Sequence, residues 1–264
     1  MKNITVIKIG GSTLSSRDTT VEDIVSLQKQ EKSLVIVHGG GNTVTEWLKR
    51  QGIETKFVRG ERVTDLPSLE IAIAVLAGLV NKEIVAAINN LGGKSVGISG
   101  IDGSLVEGKI KNAEMGYVGM ANRINPEILE TLLGSGFIPV ISPMSLYSVD
   151  RPADASQILN INADPTAGDL AAAIKAEKLI FLTNVAGILD ASGNVVHQLT
   201  PKKAEFLVTS GVITGGMIPK LNACLRALNA GAIARIIDGR QPHALMKEFA
   251  SEGGGTTLDK ESDD

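Results

Sequence analysis

Short apolar runs rich in β-branched residues recur along the chain, separated by stretches long enough for a helix. Residues 5–9, 34–37, 95–99, 138–142, 179–183 and 233–237 read as buried strands. Between and beyond them, apolar positions fall at helical spacing over 21–30, 43–51, 68–91, 126–133, 165–174, 201–210, 220–230 and 243–250. Several helix starts carry a polar cap followed by an early proline, as in Asn125-Pro126, Thr200-Pro201 and Asn162-Ala163-Asp164-Pro165. Strands that are apolar on both faces and alternate with helices predict an α/β chain whose mostly parallel sheet is covered on both sides.

Two stretches, 55–64 and 104–118, break the alternation with scattered Gly, Lys and Glu, and read as hairpins over the sheet edge, where substrate loops usually sit. A composition shift near 175–178 predicts the boundary between an N-terminal lobe (1–175) and a C-terminal lobe (176–264). The acidic tail 259–264 reads as disordered. The segment 68–91 is apolar nearly all round in its first half, which suits a core or a subunit interface, so a homodimer is expected.

The bulk numbers narrow the function classes. The 264 residues are 43% hydrophobic and 21% charged with a net charge of -3, ordinary values for a globular enzyme. There is no basic stripe, and aromatics make up 3%, so no nucleic-acid platform is expected. Cys224 is the single cysteine, which fits a reducing compartment. The longest apolar run, 71–80, is about half a bilayer span, so a cytoplasmic protein with no membrane partner is expected.

Candidate chemistry clusters at glycines. Lys8-Ile9-Gly10-Gly11 closes the first predicted strand and His38-Gly39-Gly40-Gly41 the second. Glycine has no Cβ, so successive N–H groups can converge on an anion. A lysine at the carboxyl end of a parallel strand points toward the crevice where such sheets bind ligands. The His38 run resembles an esterase oxyanion loop, but the chain has no G-x-S-x-G elbow, and His38 reads as structural. Leu91-Gly92-Gly93-Lys94-Ser95 imitates the end of a phosphate loop but has Ile88 where the leading glycine belongs and precedes a strand. No G-x-G-x-x-G follows a strand, so a dinucleotide enzyme has no support. Asn160-Ile161-Asn162-Ala163-Asp164 is at least a helix cap, and its Asp164 could hold lysines in place. Gly215-Gly216-Met217-Ile218-Pro219-Lys220 puts a cation at a predicted helix start, against the helix dipole, where a bound phosphate would explain it.

Together with Gly60-Glu61-Arg62-Val63-Thr64, Leu76-Ala77-Gly78-Leu79-Val80-Asn81-Lys82 and Ile236-Ile237-Asp238-Gly239-Arg240, these stretches make the chain resemble the amino-acid kinase family. The likeness is strongest to the branch that phosphorylates N-acetylglutamate, and it runs nearly the full length in order. The resemblance implies an open αβα sandwich whose N-terminal lobe binds the acylated amino acid and whose C-terminal lobe binds ATP, with Mg²⁺. It implies that Lys8 and Lys220 stabilise the transition state and that Asp164 organises them. Gly10, Gly11 and Gly40 would face the phosphoryl group. Gly40, Gly41, Arg62 and Asn160 would hold the amino acid. Thr183, Asn184, Val185, Gly187, Leu189, Val212, Ile213 and Thr214 would line the nucleotide site. The partners implied are small molecules: the side-chain carboxylate of N-acetyl-L-glutamate, for arginine biosynthesis, and ATP.

The inventory suits that chemistry. A carboxylate is already an anionic nucleophile near neutral pH, so no general base is required. The difficulty is bringing it up to a polyphosphate, which lysines, backbone N–H groups and a cation relieve. The planar fork of Arg62 suits the α-carboxylate; its structural alternative is a surface pair with Glu61. Two departures from the family pattern stand out: Thr183-Asn184 where relatives carry Ser/Thr-Asp, and Arg59 where asparagine is frequent. The chain starts almost at its first strand, without the N-terminal helix of arginine-sensitive relatives, so a dimer without arginine feedback is expected. The rival readings are a kinase for carrier-linked aminoadipate or glutamate in lysine biosynthesis, and a non-catalytic ligand sensor on the same fold.

Overall fold

The structure is a computed structural model in which residues 3–10, 19–58 and 61–260 are described. Gly11, Arg59 and Gly60 lie outside them. The strands are β1 (Ile4–Ile9), β2 (Ser33–His38), β3 (Phe57–Val58), β4 (Glu61–Arg62), β5 (Ser95–Ser99), β6 (Val106–Ile110), β7 (Val118–Ile124), β8 (Ile138–Ser142), β9 (Met144–Tyr147), β10 (Ile158–Ile161), β11 (Lys178–Thr183), β12 (Gln198–Leu199), β13 (Ile233–Asp238) and β14 (Thr256–Leu258). The helices are α1 (Thr20–Lys29), α2 (Gly41–Arg50), α3 (Leu66–Ile73), a π-helical stretch (Ala74–Val80), α4 (Asn81–Asn90), α5 (Glu127–Gly134), α6 (Ala163–Ala173), α7 (Pro201–Thr209), α8 (Met217–Asn229) and α9 (Ala244–Phe249).

Eight strands form one sheet in the order β12-β14-β13-β11-β1-β2-β8-β5. Every neighbouring pair is parallel except β13–β14. From the central β1 the chain fills one side first, through β2, and later the other, from β11 onward. That reversal of order opens a crevice at the carboxyl ends of β1 and its neighbours, where open α/β sheets take ligands. Helices cover both faces, so the expected αβα sandwich with a mostly parallel sheet is the fold found.

The period of two along β1 decides which side the site is on. Ile4 and Val6 join the core layer that holds Ala163, Ala167 and Leu170 of α6 and Leu221, Ala223 and Cys224 of α8. Ile7 and Ile9 face the opposite layer, with α1, α2 and the long helix. Lys8 shares parity with Val6 and points toward α6 and α8. Those two helices approach closely because Gly168 faces Ala223. A Cβ on Gly168 would stand 2.7 Å from the Ala223 carbonyl oxygen and 2.8 Å from its Cα.

The six sheet strands expected from the sequence are present within one residue at each end. The helix expected over 220–230 starts earlier, at Met217, because Pro219 falls in the first turn, where no intrahelical donor is needed. The stretch 55–64 is a hairpin, β3 paired with β4. The stretch 104–118 is not a free-standing hairpin. Its β6 belongs to a closed four-stranded barrel with β7, β9 and β10. Those three partner strands were not expected: β9 and β10 are four residues each, and β7 is interrupted by Gly119, Asn122 and Arg123.

Residues Leu66–Asn90 run on as one helical rod of 25 residues, long and apolar enough to cross a membrane by length and composition. Its inner side lies in the core through Leu69, Ala72, Val75, Leu76, Val80, Ile84 and Ile88. The buried Asn81 donates to the Val140 carbonyl (2.9 Å) and pairs with His38 Nε2 (3.2 Å). Leu66 and Leu79 remain exposed on its outer side. Another buried polar group, Asp23 of α1, caps α9 by accepting from the Leu245 and Met246 N–H groups, and its other oxygen meets His243 Nδ1 at 2.8 Å.

Candidate active site

Asp164 stands at the first turn of α6, behind the cap that Asn162 makes by accepting its N–H (3.0 Å). Lys8 Nζ lies 2.6 Å from Oδ1 and Lys220 Nζ 2.6 Å from Oδ2. One carboxylate from α6 therefore joins a cation from the central strand to a cation from α8. Asp164 and Lys8 are nearly inaccessible, with side-chain exposures of 7% and 9%, whereas Lys220 keeps 21%. Lys220 Nζ makes an aligned hydrogen bond to Oδ2. Lys8 Nζ pairs with Oδ1 as an ion pair at the same distance.

Burial drives the Lys8 ammonium below its usual range, and Asp164 only partly restores it. Burial likewise pushes Asp164 up, but the charges of Lys8 and Lys220 outweigh it and hold the carboxyl below its ordinary value. Two cations against one anion leave the cluster one positive charge in excess. The asymmetry also accounts for Lys220 in a helix first turn, through a protein carboxylate as well as through any phosphate.

Two cavities meet at this cluster. The first, about 270 Å³, is lined by Lys8, Gly39, Gly40, Gly41, Phe57, Glu61, Arg62, Leu76, Asn160, Asn162 and Asp164, among others. The second, about 750 Å³, is lined by Glu61, Lys111, Asn112, Glu114, Asn162, Asp164, Gly215, Gly216, Pro219, Lys220 and Asn222, among others. Helices α2 and α8 both open toward these cavities on a glycine, and neither has a side-chain cap. Uncapped first-turn N–H groups suit an anion. Gly40 has φ +151°, and a Cβ there would come within 2.6 Å of the Leu76 side chain, which the π-helical stretch presents to it. A side chain at position 40 is thereby excluded and the backbone stays bare.

Arg62 is not paired with Glu61. Its guanidinium lies over the Phe57 ring at 4.9 Å and donates to the Gly41 carbonyl (3.0 Å), Thr45 Oγ1 (2.6 Å) and Thr55 Oγ1 (3.2 Å). All three partners are neutral, and burial lowers its pKa with no anion acting on it. A half-buried cation held by neutral acceptors is ready for a carboxylate. Asn160 donates to Thr64 Oγ1 at 3.3 Å. Glu61 instead pairs with Lys111 at 2.6 Å and accepts from Asn162 Nδ2 at 3.3 Å.

The structure thus brings Lys8, Gly40, Gly41, Arg62, Asn160, Asp164 and Lys220 together. Gly10 directly follows β1, next to Ile9, whose carbonyl accepts from Gly39 N–H. The residues expected at a nucleotide site stand elsewhere. Thr183, Asn184, Val185, Gly187 and Leu189 follow β11, and Val212, Ile213 and Thr214 connect α7 to α8; none lines either cavity. Thr183 Oγ1 bonds to the Val185 and Ile237 carbonyls, and Ile213 is in the core, so both side chains serve the fold. Asn184 and Thr214 are exposed. His38 is structural as expected: burial drives its pKa down to about 4. Glu61, Lys111 and Phe57 were missed as site residues. All three fall in the two irregular stretches, and Glu61 also lies within the 60–64 stretch that carries the resemblance.

Comparison with known proteins gives the family. The Amino acid kinase family matches residues 3–238. The acetylglutamate kinase of Dehalococcoides mccartyi is 46% identical over 256 residues, 97% of this chain and 94% of that protein. That of Methanothrix thermoacetophila is 44% identical over 271 residues, 97% and 92% of the respective chains. The crystal structure of smu.665 from Streptococcus mutans has a TM-score of 0.83 at 30% identity, covering 99% of this chain and all of that one. The sheet that opens at β1, its bare glycine turns and these near-full-length likenesses have one reading: the chain belongs to the amino acid kinase family.

Proposed function

We propose that the chain transfers the γ-phosphoryl group of ATP to the side-chain carboxylate of N-acetyl-L-glutamate, forming an acyl phosphate for arginine biosynthesis. The observation that carries the reading is the placement of Lys8 and Lys220 on opposite oxygens of Asp164, where two cavities meet. Two near-full-length relatives named acetylglutamate kinase support the substrate. The smaller cavity, with Arg62 free of anionic partners, suits the acylated amino acid. The larger one, reaching Lys220 and the start of α8, suits a polyphosphate.

In this mechanism the amino-acid carboxylate attacks as the anion it already is. Arg62 takes its α-carboxylate through two parallel N–H donors, and Asn160 and the N–H groups of Gly40 and Gly41 fix its orientation. Lys8 and Lys220 flank the migrating phosphoryl group. Asp164 keeps them there without reacting, so no reorganisation is needed as charge spreads over the phosphoryl oxygens. Among the described residues no three His, Cys, Asp or Glu side chains group as a metal cage. Mg²⁺ would enter with the nucleotide and offset the charge of its phosphates.

The chain's change of direction at β1 and β11 supports residues 1–175 as the amino-acid lobe and 176–264 as the nucleotide lobe. The residues after β11 and between α7 and α8 would then meet the nucleotide's far end. The exposed Leu66 and Leu79 on the long helix support a homodimer, which sedimentation would measure. Incubation with free N-acetylglutamate, ATP and Mg²⁺, followed by hydroxylamine, should yield the hydroxamate with one ADP per acyl phosphate. No hydroxamate from the free amino acid would remove this reading and return the carrier-linked and sensor alternatives.

A further inference from the structure

Glu61, Asn162 and Asp164 border both cavities, and Glu61 puts a carboxylate on the path a phosphate would take. Glu61 borders both cavities and its side chain is 16% exposed. Its Oε1 accepts from Asn162, the cap of α6, and its Oε2 meets Lys111 Nζ, from the segment after β6. Asn162 in turn holds the Asp164 N–H. One carboxylate thus links the hairpin that carries Arg62, the start of the helix that carries Asp164, and the barrel.

We propose that Glu61 is a positioning residue for this site and that Lys111 is its charge partner on the nucleotide side, cancelling the carboxylate so that a polyphosphate can enter beside it. The inference rests on the reading of the larger cavity as the polyphosphate site. Tethering alone would require only an acceptor for Asn162, which an amide supplies. The carboxylate adds a full negative charge to the wall of the cavity that Lys220 also lines, and Lys111, which lines the same cavity, neutralises it. Because Lys111 is 42% exposed, its removal leaves the fold intact.

The test is calorimetric titration of the full chain with the non-hydrolysable ATP analogue AMP-PNP and Mg²⁺. Lys111→Met should weaken binding roughly tenfold, as expected for an unpaired charge near the ligand at a partly solvated site. Adding Glu61→Gln, which keeps an acceptor for Asn162, should restore affinity to within about twofold of the parent, since the repelling charge is gone. The Lys111→Met defect should shrink in high salt. Unchanged affinity in Lys111→Met, or a double variant no tighter than the single one, would overturn the proposal. In the second case Lys111 would act on phosphate directly. Failure of the function reading is separately visible: analogue binding with this charge pattern but no hydroxamate from N-acetylglutamate.

Discussion

Asp164→Asn changes the charge of the central carboxylate with almost no change in shape. In the native protein each oxygen faces one ammonium at 2.6 Å, with Asp164 and Lys8 almost wholly buried. Removing one partner of a buried ion pair costs about 3–5 kcal/mol. Because Lys220 retains contact with solvent, we take the lower end, about 3 kcal/mol, which for a chain of this size corresponds to a drop in Tm of roughly 6–12 °C. The pH dependence gives a sharper signature. Lys8 already has its folded pKa below the unfolded value, so the unfolded chain binds more protons in the window between the two, and stability rises with pH there. Loss of the Asp164 charge removes what raises Lys8, so its folded pKa falls further and the window widens downward. Urea unfolding at pH 7 and pH 9.5 should therefore show a larger gain for Asp164→Asn than for the parent, and Lys8→Met added to it should abolish the difference. At the acid end it is the parent that depends on pH, with stability again rising as pH rises. The contribution of Asp164, whose folded pKa is depressed, is complete above its unfolded value and is lost as pH falls through the folded one, and the variant should lack that loss. Identical pH profiles for parent and variant would refute the reasoning.

Arg62→Ala should raise the KM for N-acetylglutamate about 10- to 100-fold, the loss of a charge-assisted bidentate contact, and leave the KM for ATP within about threefold in steady-state assays. Gly168→Val places atoms where Ala223 backbone now lies, so α6 and α8 must part. Chemical denaturation should show a loss of about 1–3 kcal/mol or more, and kcat should fall because Lys220 leaves Asp164. Asp23→Ala removes the cap of α9 far from the cavities; it should cost about 1–2 kcal/mol by the same measurement with kcat unchanged.

The fold was readable where each strand is an unbroken apolar run, because burial on both faces imposes that pattern whatever the strand's partners. It was unreadable in the barrel, where β9 and β10 are too short for any period and β7 carries exposed Asn122 and Arg123 at a shift of register. Lys8 and Asp164 were legible as types at particular positions, a lysine closing a strand and an aspartate in a capped first turn. The meeting of Asp164 with Lys220 depends on the close approach of Gly168 and Ala223, which local sequence does not announce. For Glu61 the sequence offered only the alternative of a surface pair with Arg62, its chain neighbour. In a two-residue strand adjacent side chains point to opposite faces, and Glu61 turns instead to Lys111, fifty positions on. Thr183 Oγ1 is engaged by the backbone around it, a use of the side chain that its place at a strand end does not announce.

The most direct measurement is a crystal structure of the protein with ADP, Mg²⁺, aluminium fluoride and N-acetylglutamate. With the planar fluoride standing in for the moving phosphoryl group, both lysine nitrogens should lie at hydrogen-bond distance from its fluorines, about 3 Å, with Asp164 still between them. A fluoride bound with Lys8 or Lys220 turned away from it, and elsewhere engaged, would contradict the account.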